Sequence, residues 1–233
     1  MKIKSGQHFL MIGDSVTDMG RIRPLQDGIS EGFGDQLGKG YPHIVCGMLN
    51  AVYPERLIRV TNAGNSGNSI RALKERWQRD CLDPLPDWVS VLIGINDVWR
   101  QFDTPHKPFN HILPDEYEAT YRELVEKTLP HLSGGMVLMT PYFIETNTSD
   151  AMRARMDEYG AIVKRVAAEY GTLFVDLQAE FNRILQFRHS GNIAWDRVHP
   201  NLIGATVIAR ALLNALEFDY LHIPEADNAP SQH

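Results

Sequence analysis

The stretch Phe9-Leu10-Met11-Ile12-Gly13-Asp14-Ser15 sets four apolar residues directly before a glycine, an aspartate and a serine. The apolar residues predict a short buried strand, and the residues after them predict a tight turn into a helix. In open α/β sheets, ligands bind beyond the carboxyl ends of the strands, where a helix N-terminus offers unpaired N–H groups. The turn therefore places Ser15 where ligands bind, although a serine in this position is also typical of a helix N-cap.

Similar apolar runs recur along the chain and alternate with segments of helical periodicity. Strands are predicted at 9–12, 57–62, 88–93, 136–140 and 173–176, and helices at 42–53, 69–81, 115–132, 151–170, 178–187 and 202–216. This alternation predicts a three-layer α/β fold with a doubly wound, flavodoxin-like sheet of five parallel strands. Because no linker divides the chain, we expect one domain over 1–223 and a loose tail over 224–233.

Charge and hydropathy exclude several classes of partner. The chain has 233 residues, a net charge of −6 and no cluster of lysines and arginines, which argues against nucleic acid binding. No apolar run approaches the roughly 20 residues that a membrane span needs, so no membrane association is expected. The run 9–12 is also too short for the apolar part of a signal peptide, which favours a cytoplasmic protein.

The two cysteines, Cys46 and Cys81, lie far apart, in no CxxC pattern and with no histidine at zinc spacing. A disulfide framework and a structural zinc site are therefore not expected. We interpret both as buried residues in helices, which suits a reducing cytoplasm.

Small or polar residues follow three of the predicted strands at their carboxyl ends. These residues are Ser15, Gly64 and Asn96. Because neighbouring parallel strands end at one edge of the sheet, we expect the three to lie close together. Each also has a simpler interpretation, since Gly64 permits a turn and Asn96-Asp97 suits the cap of a following helix.

Asp196 and His199 stand three residues apart in a predicted turn. Pro200 disfavours helical geometry at the histidine and suits the first turn of the next helix, so the imidazole is held just before that helix. Alone, the pair is also typical of a surface hydrogen bond or of two metal ligands. With Ser15 it supplies the parts of acyl transfer: a nucleophile, a base that takes its proton, and a carboxylate that orients the base.

An acyl-transfer site also needs donors for the negative oxygen of the tetrahedral intermediate. The N–H groups of Ser15 and Gly64 and the side-chain amide of Asn96 are the candidates. The combination of three strand ends with a downstream Asp-x-x-His pair favours a catalytic site over five unrelated structural roles.

Gly13-Asp14-Ser15, Gly64, Gly94-x-Asn96-Asp97 and Asp196-x-x-His199-Pro200 resemble, in this order, the four sequence blocks of the SGNH, or GDSL, hydrolases. The resemblance spans nearly the whole chain and implies the SGNH hydrolase fold. It implies Ser15 as nucleophile, His199 as general base and acid, and Asp196 as the residue that orients it. It also implies an oxyanion hole formed by Ser15, Gly64 and Asn96, with no cofactor and no metal.

More narrowly, residues 12–15, 93–101 and 194–200 look like the carbohydrate acetyl esterases of this superfamily, above all the intracellular bacterial acetylxylan esterases. This resemblance implies a homo-oligomer that removes O-acetyl groups from xylo-oligosaccharides or related acetylated sugars through an acyl-enzyme. Trp99 and Trp195 suit stacking on sugar rings, although core packing explains each equally well.

A thioesterase or lysophospholipase on the same scaffold is the nearest alternative, because a catalytic triad does not select the acyl group. The loops expected at the edge of the site, 22–40 and 101–114, are rich in glycine, proline, aspartate and histidine, which argues against a long acyl chain.

Two alternatives come from other classes of protein. One is a metal-dependent phosphatase that uses Asp14, Asp97, Asp196 and His199; its aspartyl form needs a second aspartate two residues after Asp14, where a valine stands. The other is a flavodoxin-like module that binds phosphate at 14–17, which leaves the Asp196–His199 pair without a role.

Overall fold

A parallel sheet of five strands forms the centre of the computed structural model, which describes residues 1–22 and 36–224. Its strands lie in the order β2-β1-β3-β4-β5, and every neighbouring pair is parallel. The strands are β1 (His8–Gly13), β2 (Arg59–Gly64), β3 (Trp88–Leu92), β4 (Gly135–Met139) and β5 (Leu173–Val175). The predicted flavodoxin-like α/β sheet is therefore confirmed. Both ends of every strand lie within two residues of the predicted ends.

Helices cover both faces of the sheet and complete three layers. They are α1 (Ser15–Asp18), α2 (Tyr41–Val52), α3 (Ile70–Glu75), α4 (Ile95–Asp103), α5 (Pro114–Thr128), α6 (Ala151–Tyr170), α7 (Leu177–Ile184) and α8 (Leu202–Ala215). Alternate residues of β1 point to opposite faces, so Phe9 and Met11 pack with α2, α7 and α8. Leu10 and Ile12 pack with α3, α4, α5 and α6.

The register of the central strands brings three chain segments to one edge. Gly13, the last residue of β1, is the partner of Gly64 in β2 and of Leu92 in β3. The residues that follow these three therefore leave the sheet at the same level. This edge is where Ser15 and Asn96 were expected to meet.

Helix ends account for most of the differences from the predicted elements. The helix predicted at 69–81 ends at Glu75, and the chain then forms a single π-helical turn, Gln78–Leu82. The loop predicted at 101–114 begins inside α4 and contains a short 3₁₀ turn, Pro108–Asn110. Of the loop predicted at 22–40, residues 23–35 lie outside the described residues, as does the predicted tail after residue 224.

Two further sequence predictions concern burial and the membrane. Cys46 and Cys81 are buried in α2 and in the π-helical turn, as predicted, and they form no disulfide bond. Within 1–22 and 36–224, no helix has the length and apolar character that crossing a membrane requires.

Candidate active site

Ser15 stands at the first turn of α1, directly after the end of β1. The carboxylate of Asp14 caps this helix by accepting the Val16 N–H at 3.0 Å, so Asp14, and not the serine, is the N-cap. At Gly13, a Cβ would lie 2.2 Å from the Leu92 carbonyl oxygen, so the corner requires glycine there. The predicted strand-to-helix turn thus leaves the partly buried Ser15 hydroxyl free of a capping role.

A continuous chain of hydrogen bonds joins the three residues predicted to form a triad. Ser15 Oγ lies 2.8 Å from His199 Nε2, and His199 Nδ1 lies 2.6 Å from Asp196 Oδ2. Asp196 Oδ1 also accepts the backbone N–H groups of Val198 and His199, at 3.0 Å and 2.8 Å. The structure therefore brings Ser15, Asp196 and His199 together in the order that acyl transfer requires.

His199 is held by the elements on either side of it. Val198 is buried, and its carbonyl accepts a hydrogen bond from the Tyr142 hydroxyl at 3.1 Å. Asn201 caps α8 by accepting the N–H of Ile203 at 2.9 Å. The imidazole therefore lies between an anchored turn and an anchored helix start, as the proline at position 200 predicted.

Asp196 in the triad and Asp14 beside Ser15 differ in electrostatic environment. Burial raises the pKa of Asp196, but the hydrogen bonds from the His199 ring and from the backbone outweigh burial and hold that pKa below its usual value. Burial raises the pKa of Asp14 to about 7, although the Val16 N–H and the His199 ring lower it in part. Asp196 is thus the carboxylate that stays charged and stabilises a protonated imidazole.

Gly64 does not serve as the oxyanion donor that the sequence analysis predicted. Its N–H already donates to Asn62 Oδ1 at 2.8 Å, inside the protein. The Asn62 amide in turn donates to the carbonyl oxygens of Thr17 and Leu37, at 2.6 Å and 2.8 Å. A Cβ at Gly64 would lie 2.2 Å from the backbone nitrogen of Asp18. Gly64 is therefore a close-packing position between β2 and α1.

The turn after Gly64 supplies a backbone donor that the sequence analysis missed. Ser66 donates both its N–H and its hydroxyl to Asp18 Oδ2, at 2.9 Å and 2.8 Å, which fixes the turn beside α1. Gly67 is exposed and has a φ of 82°, and its N–H donates no hydrogen bond within 1–22 and 36–224. The second glycine of the run 64–67, and not the first, is therefore the candidate donor.

Asn96 lies at the N-terminal end of α4 and is 3% exposed. Its Nδ2 donates to the Asn68 carbonyl oxygen at 3.0 Å, and its Oδ1 accepts from Arg100 at 3.2 Å. These two contacts fix the orientation of the amide and leave one Nδ2 hydrogen for a ligand. The structure thus supports the predicted donor role of Asn96.

Asp97 has a structural contact different from the predicted helix cap. Its Oδ1 accepts the Ile70 N–H at 2.9 Å and so joins the starts of α3 and α4. Its other oxygen has no partner among the described residues. Burial raises the pKa of Asp97 to about 7, in spite of the hydrogen bond from Ile70.

The two tryptophans proposed for sugar stacking lie in different environments. Trp195 is 85% exposed, so its interpretation as a core residue is wrong. Trp99 is partly buried against the apolar layer formed with α3 to α6, and its ring centroid lies 6.0 Å from that of His199. The Trp99 ring therefore lies near the triad, whereas Trp195 is next to Asp196 in the chain and is open to solvent.

The carboxylates considered as metal ligands do not converge. Asp14 caps α1, Asp97 binds the Ile70 N–H, and Asp196 pairs with His199. In the part of the chain that the structure describes, no group of three or more histidine, cysteine, aspartate and glutamate side chains could hold a metal ion.

This fold and this site define a class of protein. Residues 11–207 match the model of the GDSL-like lipase/acylhydrolase family, and the chain belongs to that family. It is a serine-dependent carboxylic ester hydrolase. The resemblance stated from the sequence is therefore confirmed.

Individual relatives are similar over nearly the whole chain. A curated acetylxylan esterase from Geobacillus stearothermophilus is 52% identical over 221 residues, which cover 95% of this chain and 99% of that protein. A crystal structure of an acetylxylan esterase from the same organism superposes with a TM-score of 0.90 at 50% identity and covers 100% of both chains. The α/β hydrolase LAE5, from the metagenome of Lake Arreo, has a TM-score of 0.88 at 50% identity and covers 94% of this chain and 98% of its own.

Proposed function

We propose that this protein removes O-acetyl groups from xylo-oligosaccharides. The hydrogen-bonded chain from Ser15 through His199 to Asp196 carries the proposal, because it supplies an activated nucleophile. The substrate class is supported by the similarity to the curated acetylxylan esterase. It is also supported by the structure of an acetyl-xylooligosaccharide esterase, which is 50% identical to this chain and superposes with a TM-score of 0.91 over 96% of this chain and 100% of that one.

The reaction proceeds through an acetyl-enzyme. Ser15 Oγ attacks the carbonyl carbon of the acetyl ester while His199 Nε2 takes the hydroxyl proton. The tetrahedral intermediate then collapses, and the sugar oxygen leaves with that proton. His199 next takes a proton from water, whose oxygen attacks the carbonyl carbon of the acetyl group on Ser15. The second tetrahedral intermediate collapses, acetate leaves, and His199 returns that proton to Ser15 Oγ. Asp196 stabilises the imidazolium in both halves of the reaction.

We propose three donors for the negative oxygen that develops on the substrate. They are the N–H of Ser15, the N–H of Gly67 and the remaining Nδ2 hydrogen of Asn96. The first two donate no hydrogen bond inside the described part of the chain, and the third belongs to an amide that is already oriented. Donors that are aligned before the reaction stabilise the intermediate without reorganisation.

An exposed indole favours a sugar over an acyl chain as the larger part of the substrate. Trp195 directly precedes Asp196 in the chain and is largely exposed, and aromatic faces pack well against the apolar faces of sugar rings. We propose that Trp195 contacts the xylose units and that Trp99 borders the acetyl site beside His199.

The cellular location and the assembly state are further proposals. Cys46 and Cys81 are buried and form no disulfide bond, which suits the reducing cytoplasm, where the substrates would be imported oligosaccharides. Exposed apolar side chains on the α7 and α8 side, Phe187 and Leu202, suit a homo-oligomer. Cell fractionation tests the first proposal, and sedimentation equilibrium tests the second.

The deciding experiment compares wild type with Ser15→Ala on acetylated xylo-oligosaccharides, p-nitrophenyl acetate and p-nitrophenyl butyrate. We expect serine-dependent acetate release from the oligosaccharides. Losses on the order of 10⁴- to 10⁶-fold in kcat are usual when a triad member is removed. Hydrolysis of the nitrophenyl esters with no release from the oligosaccharides would retain the serine mechanism and replace the sugar by another acyl substrate. Near-normal turnover by Ser15→Ala would refute the mechanism.

A further inference from the structure

Arg76 directs a buried guanidinium toward the carboxyl ends of β1 and β2. The residue is 7% exposed and follows the last residue of α3. Its two terminal nitrogens donate to the carbonyl oxygens of Gly13 and Ala63, at 2.8 Å and 2.7 Å. Its Nε donates to Asn68 Oδ1 at 2.6 Å, and Asp80 Oδ2 lies 3.0 Å from the guanidinium.

These contacts reach every segment that carries a candidate oxyanion donor. Gly13 is the last residue of β1, which leads into Ser15. Ala63 lies in β2, just before the turn that holds Gly67. Asn68 completes the set, because its carbonyl oxygen accepts the hydrogen bond that orients the Asn96 amide. One side chain therefore joins the ends of β1 and β2 directly and reaches the start of α4 through Asn68.

An arginine suits this place because its planar guanidinium presents several donors in a fixed geometry, which a lysine does not. A buried guanidinium also needs a counter-charge. Asp80 provides it from the π-helical turn Gln78–Leu82. Burial raises the pKa of Asp80, but hydrogen bonds from Arg79 and Arg76 outweigh burial and keep that pKa below its usual value, so the pair stays charged.

We propose that Arg76 is a positioning residue for the oxyanion hole. It touches no substrate atom and acts through Asn68 on Asn96, and through the two strand ends on Ser15 and Gly67. The proposal rests on the esterase mechanism above, because its consequence is a loss of transition-state stabilisation.

The kinetic signature follows from that role. We expect Arg76→Met to lower kcat about 100-fold, the effect of a misplacement of about 1 Å, with KM nearly unchanged. Arg76→Lys should recover part of kcat, because an ammonium restores the charge and some of the hydrogen bonds. A kcat within about twofold of wild type in both variants would overturn the proposal.

A double-mutant cycle with Asn96→Ala separates positioning from general damage. Because part of the Arg76 effect passes through Asn96, the loss of kcat in the double variant should be clearly smaller than the product of the two single losses. Effects that multiply to within about threefold would mean independent roles and would overturn the proposal.

Arg153→Met is the matched control. Arg153 is 3% exposed, pairs with Asp157 and donates to the Glu145 carbonyl oxygen, so its loss also removes a buried guanidinium. We expect Arg153→Met to lower the melting temperature while kcat stays near wild type. An equal loss of kcat in Arg153→Met would make the Arg76 effect nonspecific and overturn the proposal.

A second variant covers the case in which Arg76→Met does not fold. Asn68→Ala removes the Oδ1 acceptor alone and leaves the carbonyl that holds Asn96. Asn68→Ala should lower kcat by a smaller factor than Arg76→Met. A kcat equal to that of wild type would overturn the proposal. Ser15→Ala is measured in parallel to distinguish failure of the Arg76 proposal from failure of the esterase mechanism. Only an active Ser15→Ala protein would refute the esterase mechanism.

Discussion

Asp196 holds His199 at two points, with Oδ2 2.6 Å from the ring Nδ1 and Oδ1 accepting the backbone N–H at 2.8 Å. The first contact keeps a proton on Nδ1 and therefore leaves Nε2 free to accept the proton of Ser15. The second fixes the turn that carries the ring. One carboxylate thus sets both the tautomer and the position of the base.

Replacement of Asp196 by asparagine should separate these two contributions. Asn Oδ1 can still accept the backbone N–H groups, so the fold and the melting temperature should change little. The amide NH₂, however, favours the wrong tautomer of His199, and we expect kcat to fall on the order of 10⁴-fold. Steady-state kinetics on p-nitrophenyl acetate, with circular dichroism as the check on folding, measures this. A loss below tenfold would contradict the assigned role.

Asn96→Ala should remove one oxyanion donor and leave the triad intact. The expected loss is about 10²- to 10³-fold in kcat, with a small effect on KM, because the contact is made only as charge develops on the oxygen. The control is Asn50→Ala, whose side chain contacts the Cys46 carbonyl in α2, away from the site. Equal kcat values for Asn96→Ala and wild type would exclude Asn96 from the oxyanion hole.

Gly64→Ala should damage both stability and activity more than Gly67→Ala. At Gly64 an added Cβ meets the Asp18 backbone at 2.2 Å, so β2 or α1 must shift, which we expect to cost about 3 kcal/mol or more and to lower activity as α1 moves. At Gly67 an added Cβ meets nothing within 4 Å.

Gly67→Ala therefore carries only the strain of its positive φ, about 1–2 kcal/mol, and keeps the N–H. Thermal unfolding and kcat, measured on both variants, test the contrast. A Gly64→Ala protein as stable as wild type would mean that the close contact between β2 and α1 is not required.

The raised pKa of Asp97 predicts that the free energy of unfolding depends on pH, with a defined sign. Its pKa is about 7 in the folded protein, against about 3.9 for an unfolded aspartate. Between these values the folded state binds the proton more tightly, so this group makes unfolding easier as pH rises from about 4 to 7, and the effect is constant above that.

Asp97→Asn is neutral at every pH and keeps an acceptor for the Ile70 N–H. We expect it to be more stable than wild type at pH 8, on the order of 2 kcal/mol, and to lose that advantage near pH 4. Denaturant unfolding across this range measures the difference. The exposed Asp115→Asn is the control, and a difference between Asp97→Asn and wild type that grows toward low pH would have the wrong sign.

The sheet was predictable from the sequence because its central strands are apolar on both faces. Every residue of Trp88–Leu92 is buried, and such a run has few interpretations other than an inner strand. Helix ends were less predictable. The helix at 69–81 breaks because Arg76 turns inward and Asp80 must reach it, yet in the sequence Lys-Glu-Arg-Trp-Gln-Arg-Asp both read as ordinary solvated charges.

The residues of the candidate active site also differ in how well the sequence predicted them. Asp196 and His199 were recognisable because they are close in sequence, and Ser15 and Asn96 because each comes shortly after the end of a strand. The backbone donor was not, since four residues at 64–67 are equally small and polar. The choice between Gly64 and Gly67 depends on the side chain of Asn62, which satisfies one N–H and not the other.

Ser15 and His199 are 184 residues apart in the sequence, although their side chains are in contact. During synthesis, a ribosome-bound chain that has emerged as far as β5 already holds the serine but has no base to activate it. Hydrolysis can start only when the turn before α8 has settled against the edge of the sheet. The first appearance of turnover after dilution from denaturant therefore reports when the two ends of the chain have come together at the sheet edge, and no added label is needed to detect it.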